Sequence, residues 1–137
     1  MPNWQPNWDD VEFDHAKAQA ALDECHSAAG ALTVVIGGLD GAHTQLGAGG
    51  AWTGAYRGDY DVEQPVLRAD AVAARDALNA LAGAIAGAMT SASTEQARRE
   101  ADRERWRAER DREQADRDRR LADQGYVRLP NGKLVPI

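Results

Sequence analysis

Leu22-Asp23-Glu24-Cys25-His26-Ser27-Ala28-Ala29-Gly30-Ala31-Leu32-Thr33-Val34-Val35-Ile36-Gly37-Gly38-Leu39 is the stretch on which the fold turns. Its later half, Leu32 to Ile36 followed by two glycines, has the β-branched content of a strand. Its spacing argues for a helix. Val11, His15, Ala18, Leu22, Cys25, Ala29, Leu32, Ile36, Leu39, His43 and Leu46 alternate by four and three, the interval of one packed helix face. Asp14, Lys17, Asp23, Glu24 and Asp40 fall between them, as on a solvated face. The body of the chain offers no second strand of similar quality, so a helix is predicted. Gly30, Gly37, Gly38 and Gly41 each weaken it by about 1 kcal/mol relative to Ala, and they leave room for another helix.

Upstream lies a short repeat, Pro2-Asn3-Trp4-Gln5 and Pro6-Asn7-Trp8-Asp9. Pro and Asn favour turns and extended chain. Asn7 is expected to cap the helix, with Asp9 and Asp10 in its first turn, where the helix dipole favours acids. Trp4 and Trp8 are then expected to close the end of a helical bundle. Downstream, Gly47, Gly49, Gly50 and Ala51-Trp52-Thr53-Gly54 read as a turn between helices. A second seam follows: Tyr60, Gln64, Leu67, Ala71, Ala74, Leu78, Leu81, Ile85, Ala88 and Ala92. Pro65 either opens this helix, where its missing N–H does no harm, or kinks its first turns.

After Ser93 the helical pattern continues but the apolar seam fades. Residues 94–120 carry ten Arg and nine Asp or Glu. Glu95–Arg99, Arg105–Glu109 and Asp116–Arg120 are four apart, each pair adding about 0.2–0.5 kcal/mol to a helix. Such a segment is expected to be helical without packing on anything. Gly125 should end it. The last residues, with Pro130-Asn131-Gly132 between apolar flanks, resemble a small hairpin. Four parts result: an extended segment 1–8, a helical hairpin 9–93, a charged helical extension 94–123 and a tail 124–137.

The chain has 137 residues, enough for one domain with a small core. Of its 43% apolar residues, 27 positions are Ala, and aromatics are only 6%. The net charge of −6 disfavours nucleic acid, which calls for a basic surface. The acidity sits outside 94–120, where 13 acids face six bases. Fourteen Arg against two Lys point to a high-GC genome. One cysteine excludes an intramolecular disulfide framework. No run is long and apolar enough for a membrane span, and no cleavable signal peptide is visible.

Two helices of about 35 residues folded back on each other cannot cover their own apolar faces. The expected remedy is pairing with a second, similar hairpin, the same chain or another, into a four-helix bundle. Leu22, Cys25, Leu32, Ile36, Leu39, Leu46, Leu67, Leu78, Leu81 and Ile85 are the candidate dimer seam. The fold class is therefore all-α, an antiparallel helical hairpin with a long second helix.

Trp52-Thr53-Gly54 between two amphipathic helices, with Tyr60 eight positions after the Trp, resembles the WXG family of small ESX-type proteins of type VII secretion. The resemblance covers roughly residues 8–92. It implies a helical hairpin that forms a homodimer or heterodimer, is exported folded by an ATPase-driven machine, and partners a larger secreted effector or toxin. It makes Trp52, Gly54 and Tyr60 the bundle end that a partner or the machine reads. The family's Tyr-x-x-x-Asp/Glu export signal is absent: Tyr56, Tyr60 and Tyr126 lead to Tyr60, Gln64 and Pro130. A partner then carries the signal, or the protein acts inside the cell. Trp106 and Tyr126, in the parts beyond the family's size, are the candidates for partner specificity. The rival reading is a cytoplasmic coiled-coil adaptor unrelated to secretion.

Enzymatic and metal chemistry find little footing. His15 and His43 lie about 42 Å apart along one helix, and Cys25 and His26 point in different directions, whereas zinc needs three or four converging ligands. Cys25 reads as a small core residue. Thr90, Ser91, Ser93 and Thr94 have no nearby His to activate them, and the glycines before Trp52 lack the Gly-Lys-Ser/Thr of a phosphate loop. Arg57-Gly58-Asp59 is a chance match to an integrin-binding tripeptide. No enzyme activity, metal or cofactor is expected.

Overall fold

The computed structural model describes residues 1–48 and 54–137. Helix α1 spans His15–Ala48, helix α2 spans Ala55–Asp123, and strands β1, Tyr126–Arg128, and β2, Leu134–Pro136, complete the chain. The fold is an all-α helical hairpin, and the strand reading of Leu32–Ile36 loses to the helix. Residues 13–91 form one compact unit; residues 1–12 and 92–137 form another.

In the 13–91 unit, α1 starts later than its sequence implies. Asp14, not Asn7, caps it: Asp14 Oδ1 accepts from the Lys17 backbone N–H at 3.0 Å. Asn7 Oδ1 instead accepts from the Asp9 N–H at 2.9 Å, a local turn that competes with helix. Ala18 and Leu22 are half-buried, Cys25, Ala29 and Ile36 are buried, and Leu32 and Leu39 are half-buried. His43 is exposed, and Leu46 is only marginally covered. On α2 within this unit the buried or half-buried positions are Arg57, Tyr60, Gln64, Arg68, Ala71, Val72, Arg75, Leu78, Ala82, Ile85 and Met89, and all but Arg57 and Val72 fall on one seam. Leu67, Ala74, Leu81 and Ala88 each sit one residue off this seam and are exposed. Pro65 lies inside α2, where it forgoes one backbone hydrogen bond. Asp40 and Arg68 join the two helices through a bidentate pair, Nε–Oδ1 2.6 Å and Nη2–Oδ2 3.1 Å.

The off-seam positions define a second feature of this hairpin. In two antiparallel helices, residues one position before each seam residue rotate by about 100° toward the same side of the pair. That side carries Ala31, Val35 and Gly38 on α1, and Ala74, Leu81 and Ala88 on α2, all exposed. The other side, one position after the seam, carries Asp23, His26 and Thr33, then Asp76, Asn79 and Thr90. The first side is small and mostly apolar between Ala28 and Gly38 and between Ala74 and Ala88, with the exposed charges Lys17, Glu24 and Asp70 also on it; the second mixes these polar residues with Gly30, Val72 and Ala86. No described side chain is fully buried.

In the second unit α2 ends at Asp123, and Gly125 turns the chain away, with a φ of 83° that is open to glycine without penalty and an N–H that reaches the Ala122 carbonyl at 2.9 Å. Strands β1 and β2 pair antiparallel, Val127 opposite Val135. Leu129-Pro130-Asn131-Gly132 makes the turn, closed by the Gly132 N–H to the Leu129 carbonyl at 2.8 Å. Among the described residues no helix is long and apolar enough to cross a membrane.

Candidate functional site

The densest chemistry lies in the 1–12/92–137 unit. The seam of α2 does not stop at Ala92. Gln96, Arg99, Arg103, Trp106, Arg110 and Glu113 continue its alternation by four and three, and all are buried or half-buried. What lies on them is the N-terminal segment, running antiparallel to the helix as an extended strap. The Val11 N–H donates to Gln96 Oε1 at 2.8 Å, and the Trp4 indole N–H donates to Glu109 Oε2 at 2.7 Å. Seven residues of extended chain at about 3.1 Å each match thirteen helical residues at about 1.5 Å each. The two rulers agree at about 20 Å, so the strap keeps register over its length.

Arginines hold the backbone of the strap and tryptophans hold its sequence. Arg103 donates to the carbonyl of Asn7 at 2.9 Å, to that of Asp9 at 2.6 Å and to Asp10 Oδ1 at 2.8 Å. Arg99 adds a second donor to the Asp9 carbonyl at 3.1 Å. The Trp106 indole N–H donates to the Trp4 carbonyl at 2.9 Å, and its ring meets Trp8 edge-on, centroids 5.4 Å apart. Arg105 sits 4.4 Å over the Trp4 ring and Arg107 5.7 Å from the Trp8 ring. Pro6, between the two tryptophans, is buried. Asp10 is held below the usual carboxylate range by hydrogen bonds from Gln96 and Arg103. Glu95, bonded by Arg98 and Arg99, falls to about 2.

These contacts correct two expectations. Trp4 and Trp8 do not close a bundle end; they cover Trp106. The charged helix does not stand alone, because Arg stems and one Trp give it a face that an apolar-only search overlooks. Of the two candidates for partner specificity, Trp106 is 7% exposed under the strap and Tyr126 is 44% exposed. Of the three expected ion pairs, Glu95–Arg99 forms at 3.0 Å; Arg105 turns to Asp102 at 3.4 Å and Asp116 to Arg119 at 3.2 Å. Gln96, Arg99, Arg103 and Glu109 were not among the sequence candidates. For Gln96, Arg99 and Arg103 the one signal is the uninterrupted seam phase; Glu109, one position off it, has none.

The motif residues lie in the other unit. Trp52 is outside the described residues. Gly54 has φ 108° and its carbonyl accepts from the Arg57 N–H at 3.1 Å as α2 begins. Tyr60 stacks on His43 with centroids 5.9 Å apart. Arg57 joins the helix ends by donating to the Leu46 carbonyl at 3.1 Å. Leu39, Tyr60, Glu63, Gln64 and Leu67 line a groove of about 330 Å³ beside this end. Of the candidate seam, Cys25 and Ile36 are buried, Leu22, Leu32, Leu39, Leu78 and Ile85 half-buried, and Leu46, Leu67 and Leu81 exposed. No group of three metal-ligating side chains occurs among the described residues.

No family model, no curated protein and no solved structure matches this chain.

Proposed function

We propose that this is a non-enzymatic, WXG-like protein associated with type VII secretion, acting as an exported partner or targeting chaperone for a larger secreted effector. The observation that carries the reading is an exposed patch on one side of the hairpin. Ala31, Val35 and Gly38 with Ala74, Leu81 and Ala88 form a small, mostly apolar surface, bordered by Glu24 and Asp70. Small residues let a second hairpin approach closely, and burying such a face is the main driving force for helical association. The partner is a similar hairpin, either the same chain or another. Tyr60 and Gly54, at the start of α2, supply the surface that the effector or the export ATPase reads.

Supernatant and lysate are compared in strains with and without the type VII ATPase, the effector being co-expressed. The reading requires extracellular protein only where the ATPase is present. Equal retention in both strains overturns export. The coiled-coil adaptor would then be the better account of the same apolar face.

A further inference from the structure

The strap is held by contacts that do not depend on which copy of the chain supplies it. We propose that the Gln96–Glu113 face of α2 takes the residue 1–12 strap of a second copy in place of its own, joining two chains through their N-terminal segments. This inference uses nothing of the hairpin face or of the secretion reading.

Four features of the clasp support exchange. First, the strap is extended and carries only a local turn at Asn7, so leaving the helix unfolds no secondary structure of its own. Second, it joins α1 through Phe13 and Asp14, and the capping bond of Asp14 to Lys17 lies beyond that joint. Release therefore leaves the capping bond of α1 in place. Third, Arg99 and Arg103 bind carbonyl oxygens, and the strap's acids Asp9, Asp10 and Glu12 complement an Arg-rich face. Such recognition works equally well between chains.

The fourth feature selects the occupant. The face asks for two tryptophans four residues apart, one meeting Glu109 and Arg105, the other Trp106 and Arg107, with an aspartate two residues further on for Gln96 and Arg103. The Pro-Asn-Trp repeat of this chain meets that demand, and each copy brings one strap and one face. Reciprocal exchange of identical elements closes a two-fold pair without any new contact chemistry.

The test is complementation between two full-length variants. Trp4→Ala/Trp8→Ala leaves the face and spoils the strap; Arg103→Ala/Trp106→Ala leaves the strap and spoils the face. Mixed one to one, they should associate at least tenfold more tightly than either does with itself, as measured by sedimentation velocity. Equal association in every pairing overturns the proposal, because contact through the hairpin faces alone predicts equality. A second measurement needs no variant. Isotope-labelled and unlabelled wild-type copies are denatured together, refolded and examined for cross-copy NOEs between the Trp8 and Trp106 rings. Their presence supports exchange. Their absence, when the same ring pair gives an NOE within a uniformly labelled sample, overturns it whether or not the variants keep their helix.

Discussion

The indole of Trp106 donates to the backbone carbonyl of Trp4 at 2.9 Å, and the indole of Trp4 donates to Glu109, three residues further along the same helix. Each ring thus satisfies its polar edge through the other's segment, while their faces exclude water beside Arg105 and Arg110. Removing either ring leaves a polar group of the other segment without its partner, a cost that adds to the lost contact area.

Trp106→Ala should therefore release the strap. Truncation of a large buried aromatic costs about 3–5 kcal/mol in a core, and the low end applies to this thin layer. Hydrogen exchange at the Val11 amide, now bonded to Gln96, should accelerate by at least tenfold. Amides of residues 22–39 belong to the separate compact unit and should keep their rates. Unchanged exchange at Val11 would show that Trp106 does not hold the strap.

Arg103→Lys keeps the charge and loses the fork. Arg103 reaches three oxygens on three residues, Asn7, Asp9 and Asp10, which a single ammonium cannot reproduce. With Asp10 exposed, the expected loss is about 1–2 kcal/mol, below the full value of charged hydrogen bonds. Exchange at Val11 should rise less than in Trp106→Ala but above wild type. Equality with wild type would make the Arg103 contacts incidental.

The helical hairpin was legible because Leu22, Cys25, Ala29, Leu32 and Ile36 state a period that β-branched content cannot override. The tail hairpin was legible from Pro130-Asn131-Gly132, whose turn chemistry is local. The clasp was not. Trp4 and Glu109 are 105 positions apart, and pairing of an extended segment with a helix face has no period of its own. The continuing seam at Gln96, Arg99 and Arg103 was masked by polar head groups, although their carbon stems do the covering. The shift from Leu67 to Arg68 has the same origin: counting large apolar residues prefers Leu over an Arg stem; at Leu81 and Ala82 the buried residue is the smaller one, which counting by size passes over.

Acid should loosen the clasp. Asp10 is held ionised by Gln96 and Arg103, and Glu95, which fixes Arg99, titrates near 2 against an ordinary value of 4.5. A carboxyl group whose pKa is lower in the folded state stabilises it above the unfolded pKa, and loses that effect as pH falls through the folded value. Strap protection should thus be flat from pH 8 to about 5, then decline between about 4.5 and 2. Asp10→Asn should remove part of the decline. Tryptophan fluorescence and exchange at Val11 both report it; a profile flat down to pH 2 would contradict the assignment.

Gly54→Ala tests the backbone at the start of α2. A φ of 108° is a conformation that L residues rarely adopt, so the strain is steric even though the space for a Cβ is open. The cost should be about 1–2 kcal/mol, seen as a thermal midpoint lower by several degrees with unchanged helical content at 20 °C. Gly58→Ala, helical and also uncrowded, should be neutral or stabilising. Equal midpoints for the two variants would mean that Gly54 is not required for its dihedral angle.

Leu81→Asp separates a solvated face from a pairing face. Leu81 is 51% exposed in the single chain, so a polar residue there should change its stability by no more than about 0.5–1 kcal/mol. In a pair of hairpins the same position lies on the mostly apolar side, and an unpaired buried charge costs about 3–5 kcal/mol. A two-fold pair meets that cost twice. Self-association should therefore weaken by at least about 100-fold, with helical content intact. Asn79→Asp, on the other side one position past the seam, should leave it within about threefold. If both substitutions weaken association equally, net charge and not the apolar face controls it. If neither does, the face at Leu81 is not where hairpins meet.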